Sequence, residues 1–501
     1  MTMRARQEQE REQDLSFWMD DGAMPEFEPL DANRRVEICV IGGGLAGLTT
    51  AYLLGREGRK VLLLDDGALT GGPTQRTTAH LSSVVDDGYA GVERLHGSDG
   101  ARLVAESHTA AILKIEAIVR EERIDADFER LDGYLFLRPG GEPRCLRREL
   151  EAARRAGLDV EPVPRAPLSA YDTGPSLRFR GQAQIHPPRY RAGLARAIAR
   201  DGGDIRGAKV RGVTGVAPAR VRTEGGLVVV ADTVVMATDT PLDELVALRT
   251  RPAGVTYAIA ATVPRGAVAR ALYRDTADPA HFVRLQRPAG DGTGGDDLLI
   301  AGGEGDETGP VDHARPRFDR VEAWARERFP MMRDVLYRWS ERVRESIDGP
   351  GFIGRTPSDH GDVHVVSGAM GMTHGTIAGI LLTDLIQGRK NRWTSLYAPS
   401  RRKSGTVGGF LQENLNVARR YFDALRRRPS PDLSLACPHL GCLVNWNDAE
   451  NTWDCPGHGA RFDRRGRVIC GPADLNLEPA RRRAGRSGPR WAHALGGYDR
   501  G

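Results

Sequence analysis

The chain has 501 residues, enough to bury a large core and to divide into two or three domains. Its composition is that of an ordinary globular protein, 40% hydrophobic and 28% charged, and a net charge of only +4 demands neither nucleic acid nor an anionic membrane as partner. No stretch reaches the roughly 20 apolar residues of a membrane span. The charged segment Met1–Asp20 lacks a secretory apolar core, and six cysteines are too few for a disulfide scaffold, so a cytoplasmic location is expected.

Residues 1–34 read as a polar arm. Val36–Ile41 is a short apolar run with a β-branched bias, ended by glycines, and predicts a buried parallel strand. A helix over Leu45–Gly55 and a second buried strand over Lys60–Leu64 complete a βαβ unit. Leu103, Ile112, Ile115 and Ile118 recur at helical spacing within Asp99–Glu121, and Arg189–Arg200 predicts another amphipathic helix. Strand signals dominate 206–340, with a Gly- and Asp-rich hairpin turn at 288–297. Val363–Val366 returns to buried-strand character before a Gly-rich turn and a helix over Thr373–Gln387. Nucleotide-binding signatures therefore lie at about 35–100 and 340–390, with an inserted substrate domain mainly between them. Four of the six cysteines fall in the last 65 residues, which marks a separate module at 429–480 before a basic tail at 481–501.

Gly42, Gly44 and Gly47 match G-x-G-x-x-G, with Ala46 inside the motif. The first glycine permits the tight turn, the second lets backbone approach a pyrophosphate, and the third lets helix pack on strand. The helix N-terminus then points its N–H groups at the phosphate. Asp65 ends the second strand, 23 residues after Gly42, where a carboxylate accepts from a ribose hydroxyl. These residues point to a dinucleotide without deciding between FAD and NAD.

Downstream residues decide by resemblance. Residues 36–400 resemble the glycine/D-amino-acid oxidase family of FAD-dependent oxidoreductases. Gly72–His80, with Thr74, Arg76, Thr77, Thr78 and His80, resembles the loop that contacts the flavin pyrophosphate in that family. Val234–Thr238, with Ala237, resembles its strand under the cofactor, and Gly351–Pro357 and Gly371-Met372-Thr373-His374-Gly375-Thr376 resemble its C-terminal flavin segment. A helix starting near Thr373 would place about half a positive charge at the flavin pyrimidine edge. Some relatives attach FAD through a histidine near the position of His80, but hydrogen bonding near the cofactor is its expected role here.

Cys437-Pro438-His439 and Cys455-Pro456-Gly457-His458 form C-x-H, fifteen residues, C-x-x-H. These ligand types also fit zinc, for which the single residue between Cys437 and His439 is short. With Leu440-Gly441-Cys442, Trp453, Phe462-Asp463 and Gly471-Pro472-Ala473 beside it, the motif resembles the Rieske family. The resemblance implies a [2Fe–2S] cluster held by Cys437 and Cys455 on one iron and by His439 and His458 on the other. Gly457 and Ala460 depart from the family: the first removes a bridging cysteine opposite Cys442, the second a hydroxyl donor to a cluster sulfur. Only 429–436 separates the first ligand from a helix ending at Arg428, so the supporting sheet reads as shortened, and a module that binds nothing stays open. Ser16-Phe17-Trp18, Thr77–His80, Ile185-His186-Pro187 and Gly302-Gly303-Glu304 resemble bacterial flavoproteins in which the two domains are fused.

The fold class expected is thus α/β, an FAD-binding Rossmann-like domain with an inserted mixed-sheet α+β substrate domain, followed by a small all-β Rieske module. The expected function is oxidation of a small amine, amino acid or similar donor, with electrons passed through the cluster to an acceptor. An O₂-reactive amine oxidase with a structural module, and a non-catalytic redox sensor, are the alternatives. Substrate residues are weakly marked. In amino-acid oxidases of this family an arginine grips the substrate carboxylate. Alignment through Trp339 and Asp348-Gly349 puts Val343 at that position, between Arg342 and Arg344. Tyr257, His374 and Arg344 are the remaining candidates, and His186 is expected to be structural.

Overall fold

The computed structural model describes residues 16–19, 24–66, 76–215, 218–238, 250–287, 295–306, 314–346, 348–356, 361–368, 371–401, 437–438, 444–447, 452–455, 461–470 and 475–477. In chain order the first elements are β1 (Arg34–Ile41), α1 (Leu45–Arg56), β2 (Val61–Asp65), β3 (His80–Leu81), α2 (Gly88–Glu121), β4 (Glu129–Phe136), α3 (Pro143–Arg155), β5 (Val160–Val163), β6 (Ser176–Gln184) and α4 (Pro187–Arg200). Then come β7 (Asp204–Gly207), β8 (Val210–Thr214), β9 (Ala219–Thr223), β10 (Val228–Met236), β11 (Thr250–Pro264), β12 (Leu272–Asp275), β13 (Phe282–Gln286), β14 (Asp296–Asp306) and α5 (Ala314–Arg328). The chain continues through β15 (Val335–Ser346), β16 (Phe352–Arg355), β17 (Val363–Ser367), α6 (Gly371–Ile386) and α7 (Thr394–Tyr397). The last four are β18 (Asn445–Asn447), β19 (Thr452–Asp454), β20 (Arg461–Phe462) and β21 (Val468–Cys470).

Three sheets result. The first has the order β16-β17-β10-β1-β2-β7, with β8 and β9 added beside β10. Its centre is parallel: β1 pairs with both β10 and β2, and β10 pairs with β17. Every residue of β2 is buried, as expected of a strand covered on both faces. The second sheet runs β15-β11-β14-β13-β12-β4-β6-β3, with β5 on β6. It is mixed, because β12 pairs parallel to β4 within an otherwise antiparallel array. The third is the antiparallel array β18-β19-β20-β21. No helix among the described residues is long and apolar enough to cross a membrane.

Two expectations are corrected. The helix predicted over Asp99–Glu121 begins at Gly88 and runs through a kink where Gly97 has φ 72°. Strands β7–β10 join the nucleotide-binding sheet, although they lie within the stretch assigned mainly to the substrate domain. Strands β8 and β9 pair antiparallel with each other and β9 with β10, and alternation such as that of β9 marks a strand without saying which sheet it joins, so only pairing partners decide. The predicted turn at 288–297 lies largely outside the described residues, but β13 and β14 flank it as an antiparallel pair. The predicted helix ending at Arg428 also lies outside them.

The second sheet separates two cores. Tyr257, Ile259, Ala261, Val283, Leu285, Leu299 and Ala301 pack with Phe318, Val321 and Ala325 of α5. On the other face Ala258, Ala260, Leu298 and Ile300 join the larger core that holds α1, α2 and α6. There α6 crosses α1 so closely that a Cβ on Gly379 would lie 2.5 Å from Thr49 Cγ2. Gly379→Ala is therefore expected to force the two helices apart and cost about 1–3 kcal/mol by overpacking. Thermal unfolding of the FAD-loaded protein checks this, and an unchanged midpoint would show that the crossing does not need a glycine.

Candidate functional site

The G-x-G-x-x-G loop leaves β1 and enters α1 at the carboxyl edge of the first sheet. Gly42 has φ 103°, and a Cβ there would lie 2.5 Å from the Ala237 carbonyl oxygen at the end of β10. A Cβ on Gly47 would overlap the Gly42 carbonyl oxygen. Both positions therefore admit only glycine, and backbone stands where side chains would fill the cradle. Ala237 donates its N–H to Ile41 at 2.8 Å, which fastens the strand end to the loop. Asp65 is buried at the tip of β2, and its carboxylate accepts from Gly43 N–H at 2.6 Å.

Arg191, in the first turns of α4, is only 1% exposed. It donates to the Gly43 carbonyl at 3.0 Å, while its Nε and Nη1 make no hydrogen bond among the described residues. Burial lowers its pKa to about 10, opposed by the nearby Asp65 carboxylate, so it stays a cation at neutral pH. Sequence reading placed Arg191 in an amphipathic helix and gave no sign of this role.

The start of α6 lies against the start of α1: a Cβ on Gly375 would be 3.2 Å from Ala46 N. Two helix N-termini with their partial positive charge thus converge at one edge. Met372 and Thr373 are buried there, and Thr376 Oγ1 bonds back to the Met372 carbonyl at 3.1 Å. A glycine cradle, a strand-end carboxylate, a buried cation and two helix N-termini together fit a dinucleotide with an anionic pyrophosphate.

Residues 76–80 run beside this edge, while Thr74 lies outside the described residues. Trp339 Nε1 donates to the Arg76 carbonyl at 2.8 Å, and Arg76 donates to the Ser340 carbonyl at 3.3 Å. Trp18 Nε1 donates to the Thr77 carbonyl at 2.7 Å, so part of the N-terminal arm is built into the core. His186 accepts at Nδ1 from Arg189 N–H at 3.5 Å, capping α4, and stands edge-on to Trp18 at 5.0 Å. That is a structural role, as expected. Arg284 is fully buried, donates to the carbonyls of Ala79 and Ile185 at 3.0 and 3.2 Å, and lies 5.2 Å from the Trp18 ring.

His80 bonds Thr78 Oγ1 through Nδ1 at 3.1 Å, and its buried Nε2 has no partner among the described residues. Burial, followed by the Arg284 charge, lowers its pKa to about 3. His374, in the first turn of α6, stands edge-on to His108 of α2 at 4.6 Å. Burial, then His374, lowers the His108 pKa to about 3 as well. Both His80 and His108 are therefore neutral at working pH. Asp86 lies in the same neighbourhood, with its carboxyl held down first by the charge of Arg274, with which it also bonds, and to a lesser extent by the electrostatic influence of His374 and His108. His80 and His374 are thus each influenced by Asp86, and the surroundings include His108 and Arg274, which like Asp86 carry no local sequence signal.

Tyr257, for which packing and a place facing the flavin were equal expectations, is a packing residue of the second core. It lies on the α5 face of the second sheet, edge-on to Phe318 at 5.3 Å, whereas its neighbour Ala258 shares the opposite face with Gly302 and Phe282. Strand alternation sends it into the packing core instead of towards His80. Arg344 stands on β15 opposite Pro252, but the side chains of 342–345 lie outside the described residues.

In the C-terminal sheet Cys437 and Cys455 are both buried in one apolar cluster with Val444, Phe462 and Leu477. Two sulfurs brought to one small core fit the cysteine half of the expected ligand set. His439 and His458 lie outside the described residues.

Comparison with known proteins agrees with this geometry. A family model for the FAD dependent oxidoreductase (DAO) matches residues 37–385, and one for the Rieske [2Fe-2S] domain matches 433–480. A Bacillus subtilis (strain 168) protein, YhfW, described as a Rieske 2Fe-2S iron-sulfur protein, is 26% identical over 91% of this chain and 96% of its own. A cytochrome b6-f complex iron-sulfur subunit of Cyanophora paradoxa is 53% identical over 45 residues, 9% of this chain and 19% of its own. Among solved structures, glycine oxidase from Geobacillus kaustophilus superposes with a TM-score of 0.62 at 17% identity, covering 74% of this chain and all of that one. L-proline dehydrogenase from P. horikoshii gives 0.60 at 17% identity, covering 74% and 98%.

Asp65→Ala removes the acceptor for Gly43 N–H and the carboxylate expected to hold a ribose hydroxyl. FAD affinity is expected to fall by about 1.5–3 kcal/mol, the worth of a hydrogen bond to a charged group, or roughly ten- to a hundredfold. Fluorescence titration of the apoprotein measures it, and unchanged affinity would remove Asp65 from the cofactor site.

Proposed function

Since the chain belongs to the FAD dependent oxidoreductase family, we propose that it oxidises an amine, amino acid or similar small donor and exports the electrons through its Rieske domain to an acceptor. FAD and a [2Fe–2S] cluster are the cofactors of these two domains. When bound, the flavin supplies two-electron acceptance and the cluster one-electron transfer, a pairing suited to a donor oxidised by two electrons and an acceptor reduced by one at a time.

The observation that carries the reading is the presence of both cofactor domains in one chain, an arrangement that the B. subtilis relative matches over 96% of its length. The chain's own residues have separate tasks. Gly42, Gly47 and Ala237 bring backbone up to the cofactor, Asp65 orients the ribose, and the N-termini of α1 and α6 hold negative charge at that edge. Arg284, Trp18 and Trp339 fix the backbone of residues 76–79 through their carbonyls. Neutral His80 and His108 leave the donor's side of the site able to accept hydrogen bonds without repelling a cation.

The test is an anaerobic screen of amines and amino acids for flavin bleaching, with the Rieske electron paramagnetic resonance signal followed in parallel. A productive donor is expected to bleach the flavin and to raise the cluster signal. Cys437→Ser should abolish that signal, preserve bleaching, and lower turnover with a one-electron acceptor at least tenfold, about 1.4 kcal/mol. Unchanged acceptor turnover in that variant, together with rapid reoxidation by air, would make the protein an oxidase with a structural C-terminal module.

A further inference from the structure

Gly302-Gly303-Glu304, near the end of β14, has no part in the cofactor cradle. Each glycine receives a ring from the neighbouring strand. Gly302 stands opposite Phe282 of β13, and a Cβ on it would overlap the Phe282 ring at Cζ. A Cβ on Gly303 would lie 2.6 Å from His281 Cδ2. Successive residues of a strand point to opposite faces, so the two rings lie on opposite sides of the sheet. His281 stacks on Trp324 of α5 at 4.5 Å, and Phe282 meets His80 edge-on at 5.4 Å. Glu304 fastens the element to α5, accepting from Arg320 Nε at 2.5 Å.

Phe282 belongs to a row that crosses the second sheet. Trp339, Ala258, Gly302, Phe282 and Arg274 are successive cross-strand partners on β15, β11, β14, β13 and β12. Directly opposed residues share a face. The row runs beside the segment that resembles the flavin loop: Trp339 Nε1 donates to the Arg76 carbonyl at 2.8 Å, and Phe282 meets His80. Trp339 and Ala258 are buried, whereas the Phe282 ring is half-buried. The polar groups beside this ring offer a ligand no net charge. Arg274 neutralises Asp86, and burial keeps His80 and His108 uncharged.

We propose that Phe282, seated on Gly302, is the specificity-determining wall of the donor site, and that the site takes an amine whose remaining part is uncharged and apolar and packs on that ring. This rests on the amine-oxidising reading above and narrows it. A half-covered aromatic ring gains by burying further apolar surface, and an aryl group adds the favourable edge or offset contact. A donor carrying a carboxylate would instead bring an anion against a ring and an ion pair already compensated, at the cost of its hydration. Gly302 is a positioning residue. A side chain there takes the place of the ring and turns it away from His80.

The test uses the FAD-loaded full chain under anaerobic conditions with benzylamine, methylamine and glycine. Perturbation of the flavin spectrum reads binding, and bleaching reads oxidation. Benzylamine is expected to half-saturate at least about tenfold below methylamine and glycine. Phe282→Ala should raise the benzylamine value at least about tenfold and leave methylamine within about twofold. Phe282→Leu, which keeps apolar surface without a ring, should give an intermediate value and serves if the Ala variant does not retain FAD. Gly302→Ala should weaken benzylamine selectively as well, and combining it with Phe282→Ala should add no further loss, because both changes remove the same ring contact. A benzylamine-to-methylamine ratio within about twofold of the parent in the Phe282 variants overturns the proposal. So does glycine half-saturating below benzylamine, an additive loss in the double variant, or a spectrum that none of the three probes perturbs. The amine-oxidising reading fails on a different result, a spectrum that benzylamine perturbs but no amine bleaches.

Discussion

The close approach of backbone at the carboxyl edge of the first sheet is the constraint on which the rest depends. Gly42 meets the end of β10, and Gly47 meets Gly42, at distances that no side chain permits. The same tolerance recurs where α6 crosses α1 at Gly375 and Gly379. As a result, segments near residues 45, 237 and 375 share one edge although hundreds of residues separate them. Two helix N-termini meet there, and the N–H groups that a helix leaves unpaired at its start all face one region. A cofactor carrying a pyrophosphate answers that concentration of donors more fully than any protein side chain nearby.

Buried cations organise the surroundings. Arg284 is driven down to a pKa of about 9 by burial yet stays charged at neutral pH, and its hydrogen bonds hold the carbonyls of Ala79 and Ile185 and the side chain of Gln286. Trp18 covers it and also holds Thr77, so a residue from the N-terminal arm helps to fix the segment beside the flavin. Arg401 plays a comparable part near the C-terminal end of the flavin domain, where it bonds Asp348 at 2.8 Å and the Gly351 carbonyl at 2.8 Å and lies over Phe352. Each such group binds backbone of another segment, so the site is positioned by rigid elements and not by its own loops.

The cofactor edge was legible in the sequence because its determinants are local. Gly42, Gly44, Gly47 and Asp65 lie within one βαβ unit, where spacing alone fixes their relation. The paired motif at Cys437 and Cys455 is local in the same sense, and the fold brings both sulfurs into one core. His80 and His374 were singled out through resemblance, without the groups that surround them. Asp86, His108 and Arg274 were not legible, since what unites them is the parallel pairing of β12 with β4 and the packing of α2, which no periodicity reports. Arg191 reads as one more charge on an amphipathic helix until α4 is seen to start beside the glycine loop. For Tyr257 the two expectations, facing the flavin or packing, were equal because alternation assigns residues to opposite faces of a strand but does not say which face meets the cofactor.

The central claim is that oxidation at the flavin and reduction of the C-terminal cluster are successive events in one chain. Rapid mixing of the oxidised protein with a donor that bleaches it, followed by freezing and electron paramagnetic resonance at a series of times, tests this most directly. Growth of the Rieske signal at a rate independent of protein concentration, after the flavin bleaches and in the absence of any added acceptor, is the predicted result. A bleached flavin with no cluster signal at any time would contradict the account.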